Sequence, residues 1–500
     1  MQSPDHSFLL RSAVALLCAV IAGCALPDRR AIDAAVQMPA SYPYTDSSNG
    51  SFGAAVADAH WRAYFSDPRL QQLIEIALAH NRDLRTAVLR VQQARASYGV
   101  QRSAQWPTLG ASGEASRART PGDLSPLGSA TTASQYQLGV GISSWEIDFW
   151  GRIASLNEVA LQSFLATDAA RRAATVALIA QVADAYFGLR ELQERLDLAH
   201  ANERNQRESL RIFTRRFEVG AISRLELTQM QTLMAQAQSL VLQLQQQRDA
   251  QRLALGILLG GSVDPANLPP AGSLADDVAL LPLVQPGLPS DLLQRRPDIV
   301  AAEHQLRAAQ ANIEAARAAF FPRISLTAFG GTASNELDGL FHGANRAWSF
   351  VPNLSLPIFD GGRNRANLDL AEVRTEMAVV DYEQTIQNAF RDVADALSAQ
   401  HWLVQQADVR QRDLQVQQER ARLSRLSYDS GASSFLEVLD AERDLIAAEQ
   451  QLAQTRRALL ASRVALYAAL GGGAPPPDGG QVAVQGPAAS RPVSSDMHVF

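Results

Sequence analysis

Two carboxylates, Glu437 and Asp440, stand three residues apart and so share one face if their segment is helical. Such a pair can attract cations, pair with a guanidinium or close a helix end. Ser434-x-x-Glu437 reads as a capping box, in which hydroxyl and carboxylate each accept from the other's backbone N–H, and Ser223-x-x-Glu226 repeats it. Catalytic arrangements are missing from the sequence. No His-Glu-x-x-His, Gly-x-Ser-x-Gly or phosphate-loop pattern occurs. The eight histidines are scattered, and Glu303-His304 is an isolated pair on a helical stretch. Gly139-x-Gly141 lies in a strand pattern with no third glycine, which argues against a dinucleotide loop. We expect no enzyme, no metal and no cofactor.

Cys24 is the other residue with chemistry of its own. Arg11 precedes an apolar run from Ser12 to Ala22, roughly half the length that spans a bilayer. The run reads as the core of a signal peptide, residues 1–23. It ends in Ile21-Ala22-Gly23-Cys24, which resembles the lipobox of bacterial lipoproteins. Cleavage there leaves Cys24 as the first residue, carrying an N-acyl group and S-diacylglycerol, and discards Cys18. The alternative is an ordinary signal peptide with an incidental cysteine, and Asp5 departs from the usual basic leader. Ala25 stands where an aspartate would favour inner-membrane retention, which by resemblance to those lipoproteins points to the outer membrane. Composition excludes other classes. The net charge of −6 argues against nucleic acid, and 47% apolar residues are enough for a core. No lysine occurs, and the chain is rich in Ala, Leu, Gln and Arg, as long helices are.

The elements that must position these residues are written twice. Asp83 to Pro107 and Asp298 to Pro322 share an offset of 298 − 83 = 215, each ending in aromatic-Pro. Gly151-Arg152 and Gly362-Arg363, Gly220-Ala221 and Gly431-Ala432, and Ser223 and Ser434 share an offset of 362 − 151 = 211. We divide the chain into a lipid-anchored extension 24–66, repeat one 67–261, a proline-rich linker 262–290, repeat two 291–472 and a disordered tail 473–500. Each repeat reads as helix, two strands, very long helix, shorter helix. Strands are expected at 107–119, 135–149, 322–333 and 346–359. Tyr136, Leu138, Val140 and Ile142 alternate with Gln137, Gly139, Gly141 and Ser143; Ile324, Leu326 and Ala328 alternate with polar residues. Pro352 interrupts the last run. Apolar-out, polar-in strands of ~9–11 residues suit an outer-membrane barrel. Long helices are expected at 153–218 and 364–430, each on the order of 100 Å at ~1.5 Å per residue. Leu189, Leu192, Leu196 and Ala199 start a seam that Leu210, Phe213 and Phe217 resume. Shorter helices follow at 223–260 and 434–471. In the last, Val438, Leu445, Leu452, Leu459 and Leu466 fall seven apart, a coiled-coil seam. Gly220 and Gly431 cap the long helices and mark two hairpin tips.

Four strands cannot close a barrel, and an open edge in lipid leaves backbone groups unsatisfied at several kcal/mol each. The smallest membrane barrels have ~8 strands, so subunits must pool theirs, and a trimer supplies twelve. A pore extended by a helical tube is a conduit. The chain resembles the TolC family of outer-membrane efflux channels, most closely its lipidated NodT/OprM-type branch. The resemblance rests on Leu288-Pro289-Ser290-Asp291-Leu292-Leu293-Gln294-Arg295-Arg296-Pro297-Asp298-Ile299, on Phe320 to Leu326, on Ser144 to Arg152 and on Leu439-Asp440-Ala441. It implies a mostly α protein with a membrane β-barrel: a homotrimer with a twelve-stranded barrel on a twelve-helix α-barrel reaching into the periplasm. It implies, as partners, a periplasmic adaptor, an inner-membrane resistance-nodulation-division transporter and outer-membrane lipid. It also implies that Glu437 and Asp440 line a periplasmic gate. Asp440 is the sharper candidate, because repeat one has Gln229 there, although a helical aspartate can equally pair with Arg443. Ser433 replaces a basic residue of some members, so no charge latch is expected at that point. Type I secretion, metal efflux and a lipid-anchored coiled-coil scaffold stay open as alternatives.

Overall fold

The computed structural model describes residues 42–44, 60–125, 128–262, 273–281 and 292–472. The leader, Cys24, most of the linker and the tail lie outside them. The described elements run α1 (Trp61–Tyr64), α2 (Pro68–His80), α3 (Arg82–Ser103), β1 (Leu109–Thr120), β2 (Thr131–Ile147), α4 (Arg152–Glu218) and α5 (Arg224–Leu258). After α6 (Leu274–Leu280) and α7 (Leu292–Arg295) come α8 (Pro297–Ala318), β3 (Arg323–Ser334), β4 (Arg346–Ser355), α9 (Arg363–Asp429) and α10 (Phe435–Ala469). The duplication is kept to the residue in the helices: α4 and α9 have 67 residues each, α5 and α10 have 35 each.

Local chemistry starts and stops the long helices in the same way in both repeats. Before α4, the Asp148 carboxylate accepts from the Ile153 and Ala154 amides at 2.9 and 2.7 Å. Before α9, Asp360 accepts from Asn364 and Gly362 at 2.9 and 3.0 Å. Acceptors at orphan N–H groups are favoured by the helix dipole as well, and those bonds hold Asp360 below the usual carboxylate range. At the far end Gly220, at φ 76°, donates to Phe217 O while Ala221 donates to Arg216 O. Gly431 and Ala432 repeat this against Tyr428 and Ser427. Both are Schellman motifs, and a residue with a Cβ would strain the left-handed position.

Burial follows the seams. Val438, Leu452, Leu459 and Leu466 of α10 are buried, as are Ala441, Ala448 and Ser462 between them, while Leu445 is half-buried. On α4 Leu189, Leu196, Ala199 and Phe213 are buried, but Phe217 is 38% exposed. The seam therefore stops one turn before the helix does, because the chain reverses at Gly220. α4 packs along α5 and α8, α9 along α10 and α8, and α10 touches α4. The Arg-Arg-Pro-Asp signature is structural here. Arg296 reaches Asp298 at 2.6 Å and Asp392 at 3.1 Å and donates to the carbonyl of Ala469, tying α8, α9 and α10. Within the expected linker, α6 is held by an Arg190–Asp277 pair at 2.6 Å and by the Leu274 amide on Glu194 at 2.8 Å. Arg463 of α10 donates to the Leu281 carbonyl at 2.9 Å. The helix thus joins both repeats.

The four strands form one antiparallel sheet in the order β1-β2-β3-β4. Cross-strand partners share a face. One face carries Leu109, Ala111 and Ala115 opposite Ile142, Val140 and Tyr136, then Ala328 and Phe350. The other carries Ser112, Glu114 and Ser116 opposite Gly139, Gln137 and Gln135. Along the part of the sheet next to the helices, one face is therefore mainly apolar and the other mainly polar. At Gly139 a Cβ would sit 2.5 Å from the Phe329 ring, so that ring can lie across β2 there only because the side chain is missing. The strand bounds differ from expectation. β2 begins at Thr131, four residues before the expected start at 135, because the small polar residues there complete the ladder to Thr120. β4 ends at Ser355, two residues before Pro357, which has no N–H to offer a ladder. Pro352 does not interrupt β4: it faces Leu326 within the strand, at the sheet edge where proline is tolerated. Among the described residues no helix is long and apolar enough to cross a membrane.

Candidate functional site

The candidate gate lies where the two hairpin tips meet. Each tip is a Schellman turn followed by a serine at the N-cap. In repeat one the capping box forms in full: Ser223 Oγ accepts from the Glu226 amide at 3.2 Å, and Glu226 accepts from the Ser223 amide at 2.7 Å. In repeat two it does not. Ser434 occupies the N-cap with extended backbone, but its hydroxyl makes no capping bond, and the Glu437 amide donates to the Ser434 carbonyl instead, at 3.2 Å. The expected capping role of Ser434 and Glu437 is therefore corrected. The following residue explains it: Phe435 is buried at 4% exposure where repeat one has exposed Arg224, and its docking tightens the first turn.

Phe435 joins the tips. Its ring lies 4.5 Å from Phe213 of α4 and 5.1 Å from Tyr428 of α9. Phe213, Met230, Phe435 and Val438 form one buried cluster drawn from both repeats. Burying aromatic side chains of this size contributes a few kcal/mol each. Above it runs a chain of charges. Arg420 of α9 reaches Asp444 of α10 at 2.7 Å; Arg443 contacts Asp444 at 3.4 Å and Asp440 at 3.5 Å. Arg425 lies 3.8 Å from Glu442, which also accepts from Gln206 of α4 at 2.8 Å. Donation from Arg420 holds the Asp444 carboxyl below its ordinary range.

Asp440 is thus placed beside Arg443 and half-exposed, while Glu437 is exposed and has no side-chain partner among the described residues. Gly220, Ser223 and Glu226 sit at one tip and Gly431 and Ser434 at the other, and the Phe213–Phe435 contact brings the tips together. Sequence reasoning missed the ties from Asp444 to Arg420 and from Glu442 to Gln206. A signal for them exists. At the offset of 211, Arg420, Arg425, Glu442, Arg443 and Asp444 stand where repeat one has Ser209, Thr214, Gln231, Thr232 and Leu233. Asp440 is one member of a run of charges on α10, with Glu442, Arg443 and Asp444, that stands where α5 has Gln229, Gln231, Thr232 and Leu233.

The chain matches the model of the family described as outer membrane efflux protein over residues 73–261 and 288–472. It is 43% identical to the solvent efflux pump outer membrane protein SrpC of Pseudomonas putida, covering 91% of this chain and 96% of that protein. It is 41% identical to the antibiotic efflux pump outer membrane protein ArpC of the same species, over 92% and 95%. Its fold is similar to the open state of the Neisseria gonorrhoeae MtrE outer membrane channel, with a TM-score of 0.79 at 37% identity over 88% and 96% of the two chains. Homology to these channels assigns the chain transport and not catalysis. With its duplicated hairpins, four-stranded open sheet and these likenesses, the chain belongs to the outer membrane efflux protein family, as a TolC-type channel subunit.

Proposed function

We propose that three copies close a twelve-stranded barrel over a twelve-helix tube and pass small amphipathic molecules from the periplasm to the exterior. The observation that carries this reading is the open sheet. β1 and β4 both end it with unpaired edges, while one face is apolar over the part of the sheet next to the helices. In lipid those edges must pair, and β4 descends toward α9 as β1 ascends from α3, so successive copies meet antiparallel. The N-acyl and S-diacylglycerol lipid on Cys24 tethers each copy to the outer membrane. A periplasmic adaptor joins the tube to an inner-membrane transporter of the resistance-nodulation-division class, which supplies the energy. The solvent and antibiotic pumps to which SrpC and ArpC belong by name support apolar cargo.

At the tips, three Asp440 and three Glu437 carboxylates ring the mouth and concentrate cations. Two charges ~8 Å apart in water repel by only ~0.5 kcal/mol, so charge alone does not set the aperture. The Phe435 cluster and the Arg420–Asp444 tie hold the hairpin from Tyr428 to Asp440, and adaptor contact splays it. The test is loss and rescue. Deleting the gene should sensitise cells to organic solvents and apolar antibiotics, and wild-type chain should restore resistance. Cys24→Ser should restore it partly, and resistance unchanged by deletion would contradict the reading.

A further inference from the structure

We propose that Arg117, Arg119 and Arg346 form a belt that binds the phosphate groups of outer-leaflet lipid. The proposal rests on the barrel reading above. Arg117 and Arg119 lie on β1 opposite Ser134 and Thr132, in the same alternation as Leu109, Ala111 and Ala115. Arg346 lies on β4 opposite Thr332, in the same alternation as Trp348, Phe350 and Leu354. All three therefore stand on the apolar, lipid-facing side of the sheet and not toward the lumen, where Glu114 faces. Leu109, Leu138, Val140, Trp348, Phe350 and Leu354 of that side are exposed in the single chain.

The arginines lie toward one end of the sheet, Arg117 and Arg119 near the end of β1 and Arg346 at the start of β4. They occupy the strand ends next to the loops, opposite the ends that join α3, α4, α8 and α9. From Leu109 to Arg119, at ~3.3 Å per residue and a tilt of ~40°, the rise is about 25 Å, the height of the apolar band of an outer-membrane barrel. The belt thus begins where lipid tails give way to headgroups on the outer side. Above the apolar residues that face turns polar, with Thr132, Ser134, Thr332 and Ser334 beside the arginines. Guanidinium groups here need an anion. Asp123, Glu336 and Asp338 lie in the adjoining loops, yet none pairs with the three arginines, each of which is exposed and without an ion pair among the described residues. β1 and β4 are also the two sheet edges. Closing the barrel brings Arg346 of one copy beside Arg117 and Arg119 of the next, so the full cluster exists only at a subunit seam. Three forked donors on a face that meets lipid match a phosphorylated headgroup, with nearby hydroxyls for its sugar.

The test uses purified full-length trimer in detergent, titrated with bisphosphorylated lipid A and followed by native mass spectrometry. At roughly fivefold per arginine, the triple variant R117Q/R119Q/R346Q should bind on the order of a hundredfold more weakly. Dephosphorylated lipid A should bind wild type as weakly, R117K/R119K/R346K should stay within several-fold of wild type, and millimolar inorganic phosphate should not displace the lipid. Equal binding by the glutamine variant, indifference to lipid phosphate, or displacement by inorganic phosphate would overturn the proposal. A heat-sensitive oligomer with β circular dichroism, measured on the same samples, separates the two readings. If it is present and lipid binding is unaffected, only the belt falls; if wild type lacks it, the barrel falls and the belt with it.

Discussion

At the scale of single residues, the duplicated serines separate sequence from structure. Ser223 and Ser434 carry the same Ser-x-x-Glu spacing, yet only Ser223 forms the reciprocal box. Ser223→Ala should therefore cost about 1 kcal/mol locally, and Ser434→Ala a few tenths. Amide exchange in the first turn of each helix, measured for both variants, checks this, and equal effects would refute it. The spacing was legible because capping is local; its failure at Ser434 was not, because a contact across to α4 decides it. Glu449 gives a second case. On α10, Glu442, Arg456 and Arg463 of the same heptad stripe all find partners, whereas Glu449 has none among the described residues. Burial alone pushes its carboxyl up. A raised folded-state value means that stability is full below the ordinary glutamate range, ~4.3, and falls as pH rises through the raised value. Glu449→Gln should then melt like wild type near pH 4 and above it at pH 8, as followed by thermal denaturation. A lower transition at pH 8 would mean that Glu449 is paired in the assembly.

At the scale of elements, helix lengths, glycine stops and the heptad seam of α10 were readable from the sequence because periodicity and φ-positive glycines are local signals. What joins the hairpins was not. Gln206 of α4 and Glu442 of α10 lie in different repeats, and no spacing rule links them; comparing the two repeats position by position shows that Glu442 has no charged counterpart in repeat one. The strand ends were misread for the opposite reason. Thr131 to Ser134 looks like loop by composition and is strand because β1 offers it partners. The tip cluster makes a prediction at this scale. Phe435→Ala removes the ring that touches Phe213 and Tyr428, and truncations of this kind cost about 3–5 kcal/mol. With α10 released from α4, single-channel conductance in planar bilayers should rise and closures should become fewer. Asp444→Asn should act in the same direction more weakly. The Arg420 tie is intact above the ordinary aspartate value, ~4, and is lost as pH falls through the lowered folded-state value. Unchanged conductance in Phe435→Ala would remove the cluster from the gate.

At the scale of the whole molecule, one chain supplies a surface that it cannot itself satisfy. The sheet has an apolar face, a polar face and two free edges. The two faces should respond differently to charge. If the apolar face meets lipid as proposed, Leu138→Arg should cost about 2–4 kcal/mol and reduce membrane assembly, while Gln137→Arg, one residue away on the opposite face, should assemble normally. Fractionation of outer membranes followed by unheated electrophoresis distinguishes them. The number of strands per chain could be read from the sequence, whereas their joining between copies could only be reasoned from what lipid forbids. The most direct measurement is therefore the mass of the detergent-purified protein by light scattering, paired with circular dichroism before and after heating. The account predicts three copies per particle, with a β component and a band that shifts only on boiling; a folded monomer, stable in detergent with its sheet edges unpaired, would contradict it.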